Sequence, residues 1–160
     1  MLTALAAEYP VVQKTFAEAS QALGYDLWEI AENGPDAELN RTEVTQPAML
    51  AAGVATWRAW LACHGPRPHY MAGHSLGEYT ALVCAEAIDF ADAVKLVADR
   101  GRFMQQAVPA GQGGMAAILG LEDDAVRRLC AQAGQGDVLE AVNFNAPGQV
   151  VIAGTAAAVA

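Results

Sequence analysis

Serine is nearly missing from this chain: Ser20 and Ser75 are the two that occur in 160 residues. Cysteine is scarce as well. Cys63, Cys84 and Cys130 are far apart, odd in number and in no metal-ligand spacing, which excludes a disulfide framework and a thiolate-held metal centre. Buried free thiols in a reducing cytosol are expected instead. Basic residues number 9 against 18 acidic ones, a net charge of −9. That balance excludes nonspecific nucleic-acid binding, yet it leaves room for a small anion held by one arginine. No apolar run reaches bilayer-spanning length. The opening Met1-Leu2-Thr3-Ala4-Leu5-Ala6-Ala7 has no basic lead and meets Glu8 and Pro10 at once, unlike a signal peptide. A cytoplasmic protein is expected. With 54% apolar and 17% charged residues, the chain has the composition of a core-forming globular protein. Its length suits one domain, or a domain and part of another.

What is present is most informative at Ala72-Gly73-His74-Ser75-Leu76-Gly77-Glu78. A serine flanked by glycines at minus two and plus two, after a short apolar segment and before an apolar helix, is the pattern of a nucleophile elbow. With 15 glycines in the chain, chance flanking of either serine occurs roughly 2% of the time. The rival reading is a helix cap, since Ser75-x-x-Glu78 also fits a capping box. A cap requires neither glycine, and Gly77 early in a helix costs roughly 1 kcal/mol against alanine. A close backbone approach there would justify that cost.

Around the elbow the pattern is mostly helical. Pro10 opens a helix whose Val12, Phe16, Ala19 and Leu23 fall on one face until Gly24. A helical turn around Leu27, Trp28 and Ile30 stops at Asn33-Gly34-Pro35. Thr45-Gln46-Pro47 reads as a cap before a helix striped by Leu50, Val54, Trp57 and Leu61, ended by Gly65-Pro66-Arg67-Pro68. Tyr70-Met71-Ala72 is the expected strand delivering Ser75. The nearly continuous apolar character from Leu76 to Ala87 predicts a buried helix. Asp89 caps another, with a stripe of Phe90, Val94, Val97, Gly101 and Met104, closed by Pro109-Ala110-Gly111. Beyond it the pattern becomes strand (Met115 to Leu119), helix (Glu122 to Ala133, with Ala125, Leu129 and Ala133 inward), and two strands (Val138 to Val142, Val150 to Ala153). A turn-forming Asn143-Phe144-Asn145-Ala146-Pro147-Gly148 joins the last two. Thr155 is a candidate cap for one more helix. This β-α-β-β order is that of a split-βαβ, ferredoxin-like unit.

Gly73-His74-Ser75-Leu76-Gly77-Glu78-Tyr79, Arg100-Gly101 twenty-five residues after the serine, Thr45-Gln46-Pro47-Ala48 upstream and the run from Val142 to Gly154 downstream together resemble the malonyl-CoA:acyl carrier protein transacylases of bacterial fatty acid synthesis. The resemblance covers essentially the whole chain. It implies an α/β fold: a hydrolase-like large subdomain over 1–110, and the first part of an inserted ferredoxin-like small subdomain over 111–160. It also implies ping-pong transfer of malonyl from malonyl-CoA, through a seryl ester, to the phosphopantetheine thiol of acyl carrier protein. No cofactor, metal, nucleic acid or membrane is implied. The family's glycine–glutamine strand segment and its later general-base histidine are not in the sequence, so a fragment of about half the enzyme, inactive alone, is expected.

Within that frame Ser75 is the nucleophile, which needs a base to take its proton. His64 lies at a helix end and His69 beyond the strand. His74, next to Ser75, projects to the opposite side. All three are expected to be structural or surface histidines, with the base outside the chain. The backbone N–H of Leu76 points at the developing oxyanion at a helix N-terminus. Arg100 sits on the shoulder of an apolar stripe, where a snorkelling arginine is ordinary. The resemblance instead implies a fork that binds the malonyl carboxylate, while Arg102 keeps the ordinary reading. Gln46, His74, Asn143 and Asn145 are softer pocket candidates: capping explains Gln46, and turn formation explains the asparagines. The rivals are an esterase or thioesterase of α/β-hydrolase type, a polyketide synthase acyltransferase module, and an inert fragment serving as an interaction scaffold.

Overall fold

The computed structural model describes residues 2–109 and 111–160. Met1 of the opening segment and Ala110 of the expected helix stop lie outside the described residues. The chain divides into two compact units, Met1–Gln105 and Gln106–Ala160.

The regular elements among the described residues of the first unit are all helices: α1 (Thr3–Glu8), α2 (Val11–Leu23), α3 (Leu27–Asn33), α4 (Asp36–Leu39), α5 (Thr42–Ala62), α6 (Leu76–Cys84) and α7 (Phe90–Ala107). Helix α2 begins after Pro10 and ends at Gly24, whose φ of +80° supplies the left-handed turn that closes it. Its Val12, Phe16 and Ala19 are buried, as the spacing predicts. Asp26 caps α3 by accepting from Glu29 N at 2.9 Å. Helix α5 is the axis of the unit. Its alanines at 48, 51, 52, 55 and 59 are buried together with Val44, Leu50 and Val54, because small side chains let neighbouring helices approach on several sides. Phe16 of α2, Leu27 of α3 and its own Leu50 are fully buried, each contributing about 1.5–3 kcal/mol. Phe16 meets Trp28 edge to face at 4.9 Å.

Helix α5 begins at Thr42, so Thr45-Gln46-Pro47 is not its cap and Pro47 lies inside the helix. Thr45 instead donates its hydroxyl back to the carbonyls of Leu39 and Arg41. Pro47 has no N–H, so the bond that would have reached the Glu43 carbonyl is absent from the second turn of α5. The Tyr70-Met71-Ala72 segment is not a strand. A strand requires a neighbour to share its ladder, and all strands among the described residues belong to the other unit. Helix α6 is shorter and wetter than its apolar sequence predicts: it ends at Cys84, and Val83 and Cys84 are its buried residues. Helix α7 keeps its stripe of Phe90, Val94, Val97 and Gly101 inward, and Asp89 caps it by accepting from Ala91 N and Asp92 N. Met104, expected inward, is exposed at the last part of that stripe. Cys84 and Cys130 are buried, whereas Cys63 is exposed. Cys63 stands at the α5 C-cap, where the chain leaves the core. The Tyr9 hydroxyl is pushed above the usual phenol range, first by the hydrogen bond it donates to Cys63 and then by the negative charge on that side chain.

The second unit holds β1 (Gly113–Leu119), α8 (Asp123–Ala133), β2 (Leu139–Ala146), β3 (Gln149–Thr155) and α9 (Ala156–Val159). The sheet order is β1-β3-β2, both pairings antiparallel. Val126, Cys130, Val150 and Ile152 form its core. The inward face of α8 is therefore Val126 and Cys130 rather than Ala125, Leu129 and Ala133, and Leu129 is 49% exposed. The larger β-branched Val126 takes the position that alanine cannot fill. The Asn143–Ala146 stretch, expected as turn, continues β2 through two register shifts, leaving Pro147-Gly148 as a two-residue hairpin loop with Gly148 at φ +71°. Thr155 caps α9 by accepting from Ala158 N. Among the described residues no helix is long and apolar enough to cross a membrane.

Candidate active site

Ser75 is held in a backbone conformation that L-residues rarely adopt, with φ +52° and ψ −113°. Such strain persists where the surroundings over-determine it, and here the cause is local. The chain reverses so tightly that a Cβ on Gly73 would lie 1.9 Å from the carbonyl carbon of Gly77 and 2.4 Å from Glu78 N. Glycine at 73 is thus a steric requirement. The close approach runs from residue 73 toward 77; a Cβ on Gly77 itself meets nothing within 4 Å, contrary to the expectation placed on that residue. Gly77 N donates to the His74 carbonyl at 2.8 Å, closing the turn.

The side chain of Ser75 makes no capping bond to α6, so the capping-box reading fails. The exposed hydroxyl faces Arg100, whose Nη2 donates to Ser75 Oγ at 3.0 Å. Leu76 opens α6 immediately after it, and its N–H belongs to the first turn, where helix donors have no intrahelical acceptor.

Arg100 is carried by α7, and its neighbour Gly101 explains how it gets there. A Cβ on Gly101 would stand 2.5 Å from the Thr42 carbonyl oxygen and 2.7 Å from Glu43 Cα, so α7 rides against the start of α5 with no side chain between. This contact brings Arg100 to Gln46, whose Oε1 accepts from Nη1 at 2.6 Å. Gln46 is buried, 6% exposed, and lies within α5 rather than at its cap. The Arg100 guanidinium carbon also lies 5.7 Å from the centroid of the Tyr79 ring, within cation–π range. The amide nitrogen of Gln46 donates to Met104 Sδ at 3.4 Å.

Ser75, Gln46 and Arg100 are therefore one cluster. Tyr79 and Met104 complete it, and neither was singled out from the sequence for such a place. The available signal was spacing: each lies four residues after a site residue, Met104 after Arg100 on α7 and Tyr79, on α6, after Ser75 at that helix's N-cap. His64, His69 and His74 are all exposed. Arg102 pairs with Asp99 at 2.8 Å, as an ordinary surface arginine does. Asn143 and Asn145 lie on β2 of the second unit. Among the described residues no group of three His, Cys, Asp or Glu side chains is placed to hold a metal.

A cation fixed beside a hydroxyl on a strained turn is suited to an anionic acyl group carried on that hydroxyl. Comparison with known proteins points the same way. A family model described as an acyl transferase domain matches residues 1–160. The malonyl CoA-acyl carrier protein transacylase of Salmonella typhimurium is 60% identical over 154 residues, covering 96% of this chain and 50% of the relative. The structure of the malonyl CoA-acyl carrier protein transacylase of Coxiella burnetii superposes with a TM-score of 0.96 at 50% identity, over 99% of this chain and 50% of that one. A malonyl-transacylase solved in complex with its type II polyketide acyl-carrier protein gives a TM-score of 0.96 at 57% identity, over 99% of this chain and 52% of that one. The chain spans about half the length of the curated relatives it matches.

Proposed function

The chain belongs to the acyl transferase domain family, and from that premise we propose that the full-length protein carrying it moves malonyl from malonyl-CoA to the phosphopantetheine thiol of acyl carrier protein, supplying fatty acid synthesis. The first unit is part of the hydrolase-like large subdomain, and the second is the first part of the ferredoxin-like small subdomain. We place the reaction in the cytoplasm, whose reducing conditions keep a carrier thiol free to accept the acyl group.

Ser75 Oγ attacks the thioester carbonyl and gives its proton to the histidine that the family pattern places downstream. The Leu76 N–H receives the oxyanion. The carbon–sulfur bond breaks, and coenzyme A leaves as its thiol, taking that proton. In the second half the carrier thiol attacks the seryl ester, and Ser75 recovers its hydrogen. Throughout, Arg100 holds the distal malonyl carboxylate through its two-pronged fork. The observation that carries this reading is the 3.0 Å contact between Arg100 Nη2 and Ser75 Oγ. Any acyl group esterified there has its far end within reach of a guanidinium, a placement that favours malonyl over a neutral acyl chain. An esterase acting on neutral acyl groups gains nothing from this counter-charge.

Arg100→Ala in the full-length protein tests it. Loading of malonyl from malonyl-CoA falls by about two orders of magnitude, as loss of a charge-assisted pair of bonds predicts, while loading of acetyl changes little. Equal losses for the two acyl groups overturn the role of Arg100. Release of free malonate outpacing transfer to a carrier thiol overturns transfer in favour of hydrolysis.

A further inference from the structure

Gln46 is gripped from two sides by side chains of one helix. Its Oε1 accepts from Arg100 Nη1 at 2.6 Å, and its Nε2 donates to Met104 Sδ at 3.4 Å. Arg100 and Met104 are four residues apart on α7, one turn of the same face. The thioether is an acceptor and has no proton to give, while the guanidinium is a donor with no lone pair to offer. A primary amide between the two has a single satisfactory orientation, oxygen to the arginine and nitrogen to the sulfur. The amide is buried, so its N–H group depends on that sulfur rather than on water, and no buried side-chain nitrogen or oxygen among the described residues is left unbonded. Met104 itself is 52% exposed.

We propose that Met104 is a positioning residue: by accepting from Gln46 Nε2, its sulfur fixes the amide whose oxygen anchors one prong of Arg100, and so aims the other prong at the acyl group on Ser75. The inference rests on the reading of Arg100 as the carboxylate-binding residue. Without the sulfur, the Gln46 amide has an unmet buried donor and turns to find another acceptor. Arg100 then loses its fixed rotamer before substrate arrives, and ordering it becomes a cost of binding. The consequence falls on capture of an anionic acyl group, not on the attack by Ser75.

The test uses the full-length protein with malonyl-CoA and acetyl-CoA as acyl donors. Met104→Leu keeps the apolar volume and removes the acceptor. It raises KM for malonyl-CoA on the order of threefold to fivefold, the range of one modest neutral hydrogen bond, a larger effect than on kcat or on acetyl loading. Met104→Gln, which restores an acceptor of similar reach, recovers much of the loss. In a Gln46→Leu background Met104→Leu adds nothing, since there is no amide left to orient. Thermal unfolding of each variant separates misfolding from mispositioning. Malonyl kinetics for Met104→Leu identical to the parent's, or an equal further loss in the Gln46→Leu background, overturns the proposal. Arg100→Ala, run alongside, isolates the underlying reading. Preserved malonyl preference in that variant refutes the assignment of Arg100, whereas lost preference there with a silent Met104→Leu refutes only the role of Met104.

Discussion

Gly101→Ala is expected to damage malonyl transfer without touching any atom of the cluster. The new Cβ would lie 2.5 Å from the Thr42 carbonyl oxygen, against the 3.4 Å at which ordinary contact begins, a shortfall of about 0.9 Å. Its neighbours there are backbone atoms of Thr42 and Glu43, which cannot rotate aside, so α7 must retreat. A retreat of that size stretches the 2.6 Å bond between Arg100 and Gln46 to about 3.5 Å, past the useful range. One charge-assisted bond on a partly exposed arginine is worth about 1.5 kcal/mol, or roughly tenfold in kcat/KM for malonyl-CoA. Overpacking costs about 1–3 kcal/mol of stability, offset by the roughly 1 kcal/mol that alanine gains in a helix. The protein should thus stay folded. The assay is parallel loading with malonyl-CoA and acetyl-CoA at a temperature well below unfolding. Malonyl loading drops about tenfold relative to acetyl. An unchanged ratio would refute the claim that close packing of α7 on α5 sets the position of Arg100.

Gly73→Ala forces a Cβ to within 1.9 Å of the Gly77 backbone. It should cut acyl loading at least a hundredfold by shifting the Ser75 hydroxyl about 1 Å, for malonyl and acetyl alike, and a variant loading either at parent rates contradicts the elbow geometry. Burial pushes the Cys84 thiol pKa up, partly opposed by the Arg58 charge. At pH 8 Cys84 therefore holds less thiolate than an unperturbed cysteine and reacts more slowly with iodoacetamide than exposed Cys63. Peptide mapping of a time course reads the order directly, and equal rates would show that Cys84 is not sealed in the core.

Much of this architecture was legible because its determinants are local. Pro10 and Gly24 bracket α2, Asp89 caps α7, and the short apolar run over 115–119 reads as a strand without any knowledge of partners. Ser75 stands out by its flanking glycines, whereas Arg100 becomes a candidate only through the family resemblance. What escaped depends on distant neighbours. Pro47 reads as a helix start, yet α5 begins at Thr42 because Val44 and Gln46 are drawn into the core and against Arg100. Asn143 and Asn145 have turn chemistry but sit in β2, since the short Pro147-Gly148 loop and pairing with β3 leave the chain no room to turn earlier. Leu129 is the larger apolar residue of α8, but the sheet takes Val126 and Cys130 instead. The Tyr70–Ala72 segment has strand composition, but among the described residues no strand stands beside it to share a ladder. Met104 was legible as part of a stripe; its bond to Gln46, fifty-eight residues away, was not.

The most direct trial of the account is to locate the acyl group itself. Full-length protein is incubated with malonyl-CoA in the absence of carrier, quenched in acid, digested and sequenced by tandem mass spectrometry. The account predicts a malonyl ester on Ser75, absent from Ser75→Ala. A stable malonyl adduct on any other side chain, or one that survives the Ser75→Ala substitution, would contradict it.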